Sequence, residues 1–497
     1  MQKMGMMILK TKMRKTKNNT TKYPRKKSTR NREIILLSFV FTGIFLAMIG
    51  YLCVYVRDNE QELLNNSYNA RQAILASENT RGTIYDRNGD KLAYTESNGE
   101  TEERVYPYAN LFSHIVGFST KGKTGIESLC NYYLINSDIP LSEKVENDLA
   151  QRKNPGNEVH TTLDANLQQV VYDSLGIYKS ACVVTNVKTG EVLAMVSKPD
   201  FDPNTIVQDW DKFVEEEQTK NSSVLLNRVT QGLYPPGSTF KMITSLQYIR
   251  EHNTSVDDYH FNCNGRFTHG NTSIQCYHGA NHGSEDFYKA FAKSCNSAFS
   301  SIGVGLDRNA YGNTLNELLF NKELPLDIIY SKSILDVDDS VSDDDMIQIS
   351  IGQGKAQITP MHMNMITCAI ANDGLLMKPR FIDRVLSANG SIIKIYDNEE
   401  YGRLLTAEES DVLTQLMVGV VNEGTATKLK TDAYQAAGKT GSAEYNGVKE
   451  DSHAWFTGFA PADDPEIAVT IIIEGIGSGG DYAAPIAKRI FDAYFAE

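Results

Sequence analysis

Between Ile34 and Val56 the chain runs for 23 residues without a charge. At about 1.5 Å per residue a helix of that length crosses the apolar core of a bilayer. A transmembrane helix is predicted there. The run is longer than the roughly 7 to 15 apolar residues of a cleavable leader, and no small-x-small site follows it, so the expected form is an uncleaved anchor. Tyr51 and Leu52 stand where a lipoprotein signal needs small residues before Cys53. Further on the pattern changes to short alternations broken by turn pairs. RGTIYDRNGDKLAYT at 81–95 reads as strand, Asn88-Gly89 turn, strand. Polar sequence continues to Pro155-Gly156, which places a domain boundary near residue 157.

Beyond that boundary TLDANLQQVVYDSLG predicts a helix capped by Asp164, and SACVVTNVKTGEVLAMVSKP two strands about a Thr189-Gly190 turn. MITCAIANDG reads as a helix ending at Gly374, and RFIDRVLSANGSIIKIYD as a hairpin turning at Asn389-Gly390. HAWFTGFAP and EIAVTIIIEGI read as adjacent strands, and APIAKRIFDAYF as a closing amphipathic helix. The acidic stretch from Asp336 to Asp345 reads as a solvated loop. This order predicts an α+β body, an antiparallel sheet with helices packed on it. Four segments result: 1–33, 34–56, 57–156 and 157–497.

The formal charge is −13, yet residues 1–33 hold 12 Lys or Arg against one acid, Glu33. The acidic main body would repel phosphate, which excludes a nucleic-acid binder. The basic end is the flank that the positive-inside rule keeps in the cytoplasm, leaving the rest outside the membrane. With 41% hydrophobic residues in 497, the chain is long enough for several cores. Its seven cysteines are few. Cys263 and Cys276 are near enough in sequence to pair, or to pack as small hydrophobes, and spacing leaves both readings open. A zinc reading recruits His269, His278 and His282, but no C-x-x-C or H-E-x-x-H spacing supports it, and no metal is expected.

The chemistry begins in YPPGSTFKMITSLQYIR, where Pro235-Pro236-Gly237 precede a helical pattern opening at Ser238. Ser238 and Lys241 are i and i+3, on one helical face, so a neutral lysine amine there can take the serine proton. A backbone N–H of the first turn has no intrahelical partner and is available to an oxyanion. Ser391 and Lys394 share the spacing but lie in a strand pattern, where residues three apart point to opposite faces. Ser-x-Asn recurs at Ser67, Ser77, Ser294 and Ser387, and Lys-Thr-Gly at Lys123, Lys188 and Lys439. Only order and setting single out Ser238-x-x-Lys241, Ser294-Cys295-Asn296 and Lys439-Thr440-Gly441-Ser442. Cys295 has no recognisable histidine partner and reads as a packed small residue.

Taken together, these residues resemble the active-site motifs of penicillin-binding proteins and serine β-lactamases. RGTIYDRNGDKLA, GIESL, KTGEVLAMVSKPDFDPN, SIGQGKAQITP, EGTA, GKTGSAE and AWFTGFAPA narrow the resemblance to the class B, monofunctional penicillin-binding proteins, over about residues 80–497. The resemblance implies a transpeptidase domain carried on a small pedestal behind the membrane helix. It also implies Ser238 as nucleophile, Lys241 as base, Ser294 as proton relay and Asn296 as peptide-orienting group. Lys439 and Thr440 would take the substrate carboxylate, and the N–H groups of Ser238 and Ser442, beside Gly441, would form the oxyanion hole. Burial and Lys439 are expected to depress the Lys241 pKa.

Asn227, Arg228, Gln353 and Gly354 match motifs beside the site, while His453 and Trp455 stay outside the catalytic set. The activity implied is crosslinking of peptidoglycan stem peptides ending in D-alanyl-D-alanine, with β-lactams as inhibitors and no cofactor. No glycosyltransferase-like segment is recognisable before Arg81, so a SEDS-family glycosyltransferase is implied as partner. The alternatives are a non-catalytic wall-binding scaffold, against which the intact motifs argue, and a β-lactam hydrolase or sensor.

Overall fold

The computed structural model describes residues 29–59, 63, 71–98, 101–220, 224–445 and 448–496. The basic tail before residue 29 lies outside them. The chain divides into two units, Met1–Leu63 and Leu64–Glu497. In the first, Thr29–Asp58 is one continuous helix, long and apolar enough over Asn31–Arg57 to cross a membrane. Its large apolar side chains are exposed, as on a helix whose solvent is lipid.

The second unit is built on two sheets. The larger, six-stranded sheet runs in the order Ile392–Ile395, Ile382–Leu386, Glu158–Thr161, Ile84–Tyr85, Lys91–Ser97, Glu102–Val105. The turn at Asn88-Gly89 is held by Asp86 Oδ1, which accepts from the N–H groups of Asn88 and Asp90, both at 2.8 Å. The Asn389-Gly390 hairpin forms as the alternation predicts, but it adds to this sheet and draws a late segment of the chain back to the pedestal. Behind the sheet a buried charge cluster fixes the GIESL run. Glu127 accepts from Arg81 Nε at 2.6 Å and Arg104 Nε at 2.7 Å, and Tyr106 donates to it at 3.1 Å.

The five-stranded antiparallel sheet runs Ala437–Tyr445, Val448–Ala460, Ile467–Ile473, Ser180–Asn186, Val192–Lys198. All seven residues of Ile467–Ile473 are buried, so both faces of that strand are covered, which is why its sequence is apolar at every position but Thr470. Helices Ala165–Leu175 and Ala483–Ala496 pack together against the sheet; Pro360–Ala371 and Ala407–Asn422 form a second pair against it. Asp164 caps the first of these helices, accepting from the N–H groups of Asn166 and Leu167 at 2.9 and 3.0 Å. The acidic stretch is only partly loop. Ser342 caps a helix Asp343–Ile349 whose first turn holds Asp343, Asp344 and Asp345, where carboxylates oppose the positive end of the helix dipole.

Candidate active site

Ser238 does not open an α-helix directly. Gly237–Phe240 is one 3-10 turn, and the α-helix starts at Lys241 and runs to Glu251. Since i and i+3 eclipse in a 3-10 turn, Ser238 and Lys241 still share one side. The turn is clamped from two directions. The Gly237 N–H donates to Gly352 O at 2.9 Å, and a Cβ on Gly352 would stand 2.0 Å from Gly237 O. On the other side, a Cβ on Gly441 would meet Pro236 O at 2.9 Å and Trp455 Cβ at 3.1 Å, so only glycine lets the edge strand Ala437–Tyr445 lie this close.

Lys241 is fully buried. Its Nζ donates to Ser294 O at 2.7 Å, Asn296 Oδ1 at 2.8 Å and Ser294 Oγ at 3.2 Å. Lys439, also fully buried, donates from the strand to the same Ser294 Oγ at 3.0 Å and to Thr440 O at 3.1 Å. Ser294 sits at φ 57°, left-handed for a residue with a Cβ, and Asn296 begins the helix Asn296–Gly305. Along the edge strand side chains alternate, so Lys439 and Gly441 face one way and Thr440 and Ser442 the other. Ser238, Ser294, Asn296, Thr440, Gly441 and Ser442 border one cavity of about 450 Å³.

The electrostatics follow from burial. Desolvation lowers the Lys241 pKa to about 8 against upward pulls from Cys295, Cys276 and Glu285. The expected effect of Lys439 on Lys241 runs the other way. Desolvation holds Lys439 well below the usual lysine range, and the Lys241 charge lowers it further. Phe299 and Phe291 lie beside the two ammonium groups, 5.3 and 5.5 Å from ring centre to Nζ.

Several residues join the site besides the three motifs. Thr425 hydrogen bonds through Oγ1 to Thr440 Oγ1, and Gln353 borders the cavity itself. Tyr234 and Arg228 both donate to Glu474 Oε1 at 2.8 Å, bracing the segment that leads into the turn. Trp455 is wholly buried and donates from Nε1 to Pro235 O at 3.1 Å, and His453 Nδ1 accepts from Gly475 N–H at 3.1 Å. Cys263 and Cys276 are not bonded to each other. Of the three histidines raised for zinc, His269 meets Asp343 and His278 packs edge-on against Tyr277, leaving His282 beside Cys263.

A serine on a tight turn, with two buried lysines meeting at a second hydroxyl, is the composition of a serine acyl-transfer site. The profile of the penicillin binding protein transpeptidase domain matches residues 180–492, and that of the penicillin binding protein A dimerisation domain matches 81–159. The chain belongs to the penicillin-binding protein transpeptidase family. It is 29% identical over 501 residues to peptidoglycan D,D-transpeptidase PbpA of Mycolicibacterium smegmatis, covering 95% of this chain and 99% of that one. Penicillin-binding protein A of M. tuberculosis, solved as an imipenem acyl-enzyme complex, superposes with TM-score 0.76 at 27% identity over 84% of this chain and 99% of its own. The D,D-transpeptidase domain of an Eggerthella lenta peptidoglycan glycosyltransferase superposes with TM-score 0.73 at 29% identity, over 84% and 99%.

Proposed function

We propose that this chain is a membrane-anchored peptidoglycan D,D-transpeptidase and a target of β-lactams. The observation that carries the reading is the meeting of Lys241 and Lys439 at Ser294 Oγ, in the cavity that Ser238 borders. Lys241, with its pKa near 8, is partly neutral at physiological pH and suited to take the Ser238 proton. Ser238 Oγ then attacks the carbonyl of the penultimate D-alanine of a stem peptide. N–H groups of Ser238 and Ser442 stabilise the oxyanion. As the C–N bond breaks, the proton held by Lys241 passes through Ser294 Oγ to the departing amine of D-alanine. Lys439 and Thr440 hold the free carboxylate of that terminal residue, and Asn296 orients the peptide. An amine of a neighbouring strand then attacks the acyl-enzyme, gives its proton back along the same path and releases Ser238.

The basic flank before Ile34 favours a cytoplasmic N-terminus and an extracytoplasmic body. In this reading residues 57–156 serve as a pedestal for the catalytic segment 157–497, and a SEDS-family glycosyltransferase in the same membrane supplies glycan strands. Relatives support the chemistry: two of those named above carry D,D-transpeptidase in their names, and the third is a penicillin-binding protein acylated by imipenem. The test is intact mass of the full-length chain in detergent with benzylpenicillin, wild type beside Ser238→Ala. A persistent adduct on wild type alone is expected. Rapid turnover to free hydrolysed drug would indicate a β-lactamase, and no adduct on either protein would favour a scaffold.

A further inference from the structure

Cys295, between Ser294 and Asn296, belongs to a buried cluster that the acyl-transfer chemistry does not use. Its Sγ lies 3.7 Å from Cys276 Sγ, which lies 3.7 Å from Cys263 Sγ, and Cys263 Sγ is 3.4 Å from His282 Nδ1. All four atoms fall within 4.8 Å of one another. A tetrahedral zinc ion with sulfur at about 2.3 Å and nitrogen at about 2.0 Å has ligand-to-ligand edges of about 3.8 Å between sulfurs and about 3.5 Å between sulfur and nitrogen. Those three contacts match these edges, and the remaining pairs lie within 4.8 Å. A disulfide would join two of the sulfurs at about 2.05 Å and leave the third out. Here the Cys276 thiol stands equally far from both neighbours.

The surroundings fit ligating thiolates. Cys263 Sγ accepts from Gly265 N–H and Cys295 Sγ from Ala298 N–H, each at 3.4 Å, and Cys276 Sγ has Ser297 Oγ at 3.1 Å. Each sulfur therefore has one polar partner outside the cluster, of the kind that orients metal ligands. Glu285 is buried with neither carboxylate oxygen hydrogen bonded, and one oxygen stands 3.8 Å from His282 Nδ1.

The lobe from Phe261 to Glu285 has no hydrophobic core of its own. It consists of two small ladders, Arg266–His269 with Thr272–Gln275 and Phe261–Cys263 with Gly283–Glu285. Its buried positions are Cys263, Gly265, Cys276 and Glu285. Segments this small need a staple in place of a core. The lobe also touches the reacting groups, since Asn296 Nδ2 donates to Gln275 O at 3.1 Å.

We propose that Cys263, Cys276, His282 and Cys295 bind one structural zinc ion that fastens this lobe to the Ser294–Asn296 turn and so positions Ser294 and Asn296. Each ligating thiol gives up its proton to solvent as its Zn–S bond forms, and no oxidant or reductant takes part. Four protein ligands close the coordination sphere, which makes the site structural. The positioning role rests on the transpeptidase reading, whereas metal binding does not.

The experiment is elemental analysis of the full-length chain purified in detergent without added metal, followed by replacement of the metal with Co²⁺. One zinc per chain is expected, with intense thiolate-to-cobalt absorption in the near ultraviolet after exchange. Cys276→Ser and His282→Ala should each reduce bound zinc at least tenfold, while Cys368→Ser, on the distant helix Pro360–Ala371, retains it. If those variants do not fold, cobalt titration of chelator-stripped wild type gives the same answer. Stripping should slow benzylpenicillin acylation at least tenfold, with recovery on zinc addition. A chain that takes up neither zinc nor cobalt, or one lighter by a Cys263–Cys276 disulfide, overturns the site. Stoichiometric zinc whose removal leaves acylation unchanged overturns the positioning role. Zinc-loaded wild type that never acylates counts against the transpeptidase reading and leaves the metal site standing.

Discussion

Lys241 and Lys439 come from different elements and meet at one atom: their Nζ groups lie 3.2 and 3.0 Å from Ser294 Oγ. Two ammonium groups cannot easily share a dry site, so the meeting point favours loss of a proton. Burial brings Lys241 to about 8. A lysine base works when neutral, and its neutral fraction grows as pH rises through that value. The acylation rate of the full-length chain with benzylpenicillin should therefore increase about tenfold between pH 7 and 9 and then level off. A flat profile across that range, followed by intact mass against time, would remove Lys241 as the base.

Ser294 combines a functional hydroxyl with backbone strain. Its φ of 57° is the left-handed region, which costs a residue with a Cβ about 1 kcal/mol. Ser294→Ala keeps that cost and removes Oγ, whereas Ser294→Gly removes both. Both variants should slow acylation by roughly a hundredfold or more, the usual range for a lost proton-transfer group. The glycine variant should be more stable than the alanine variant by about 1 kcal/mol in urea unfolding. Equal stabilities would mean that the strain is relieved elsewhere.

Much of the fold can be read from the chain because its elements carry local signals. Asp164 caps its helix, Asn389-Gly390 turns its hairpin, and the apolar run at Ile467–Ile473 is the doubly covered strand. The hairpin's destination was not legible, since alternation fixes a strand but not its neighbour, and Ile382–Leu386 pairs with Glu158–Thr161. The site divides similarly. Motif order identified Ser238, Lys241, Ser294 and Lys439 as candidates, but their encounter at one oxygen depends on the left-handed turn at Ser294. Glu474 carries no spacing rule and enters only through tertiary contact, while Thr425 lies in the EGTA run but its bond to Thr440 is not legible there. The cysteine cluster is legible in part: Cys263, Cys276 and His282 are raised in the sequence, but Cys295 comes from a separate turn and the spacings match no short metal motif.

Gly352 tests how closely the nucleophile turn is held. It lies at φ 72°, and an added Cβ would stand 2.0 Å from Gly237 O, less than any real contact. Gly352→Ala must displace the turn that carries Ser238, so acylation should slow at least tenfold with a loss of about 2 kcal/mol in stability. Gly390→Ala is the control. At φ 82° with no atom within 4 Å, it costs about 1 kcal/mol of backbone strain and leaves acylation unchanged. Equal acylation by both variants would mean that the Gly237–Gly352 contact does not govern the turn.

Glu127 tests the pedestal. Burial alone would raise its pKa, but the charges of Arg104 and Arg81 outweigh that and hold it below the usual glutamate value. The folded state thus favours the carboxylate. The resulting stabilisation is full above the unfolded pKa of about 4.5 and disappears as pH falls through the lower folded value. Glu127→Gln keeps the shape and leaves two largely buried guanidinium groups without their counter-charge. At pH 7 it should cost the pedestal about 3 kcal/mol, the scale of breaking a buried ion pair. The gap between wild type and variant in urea unfolding should then narrow as acid protonates Glu127 in the wild type. A gap that stayed constant down to strongly acid pH would show that Glu127 contributes through shape and hydrogen bonding, with its charge playing no part.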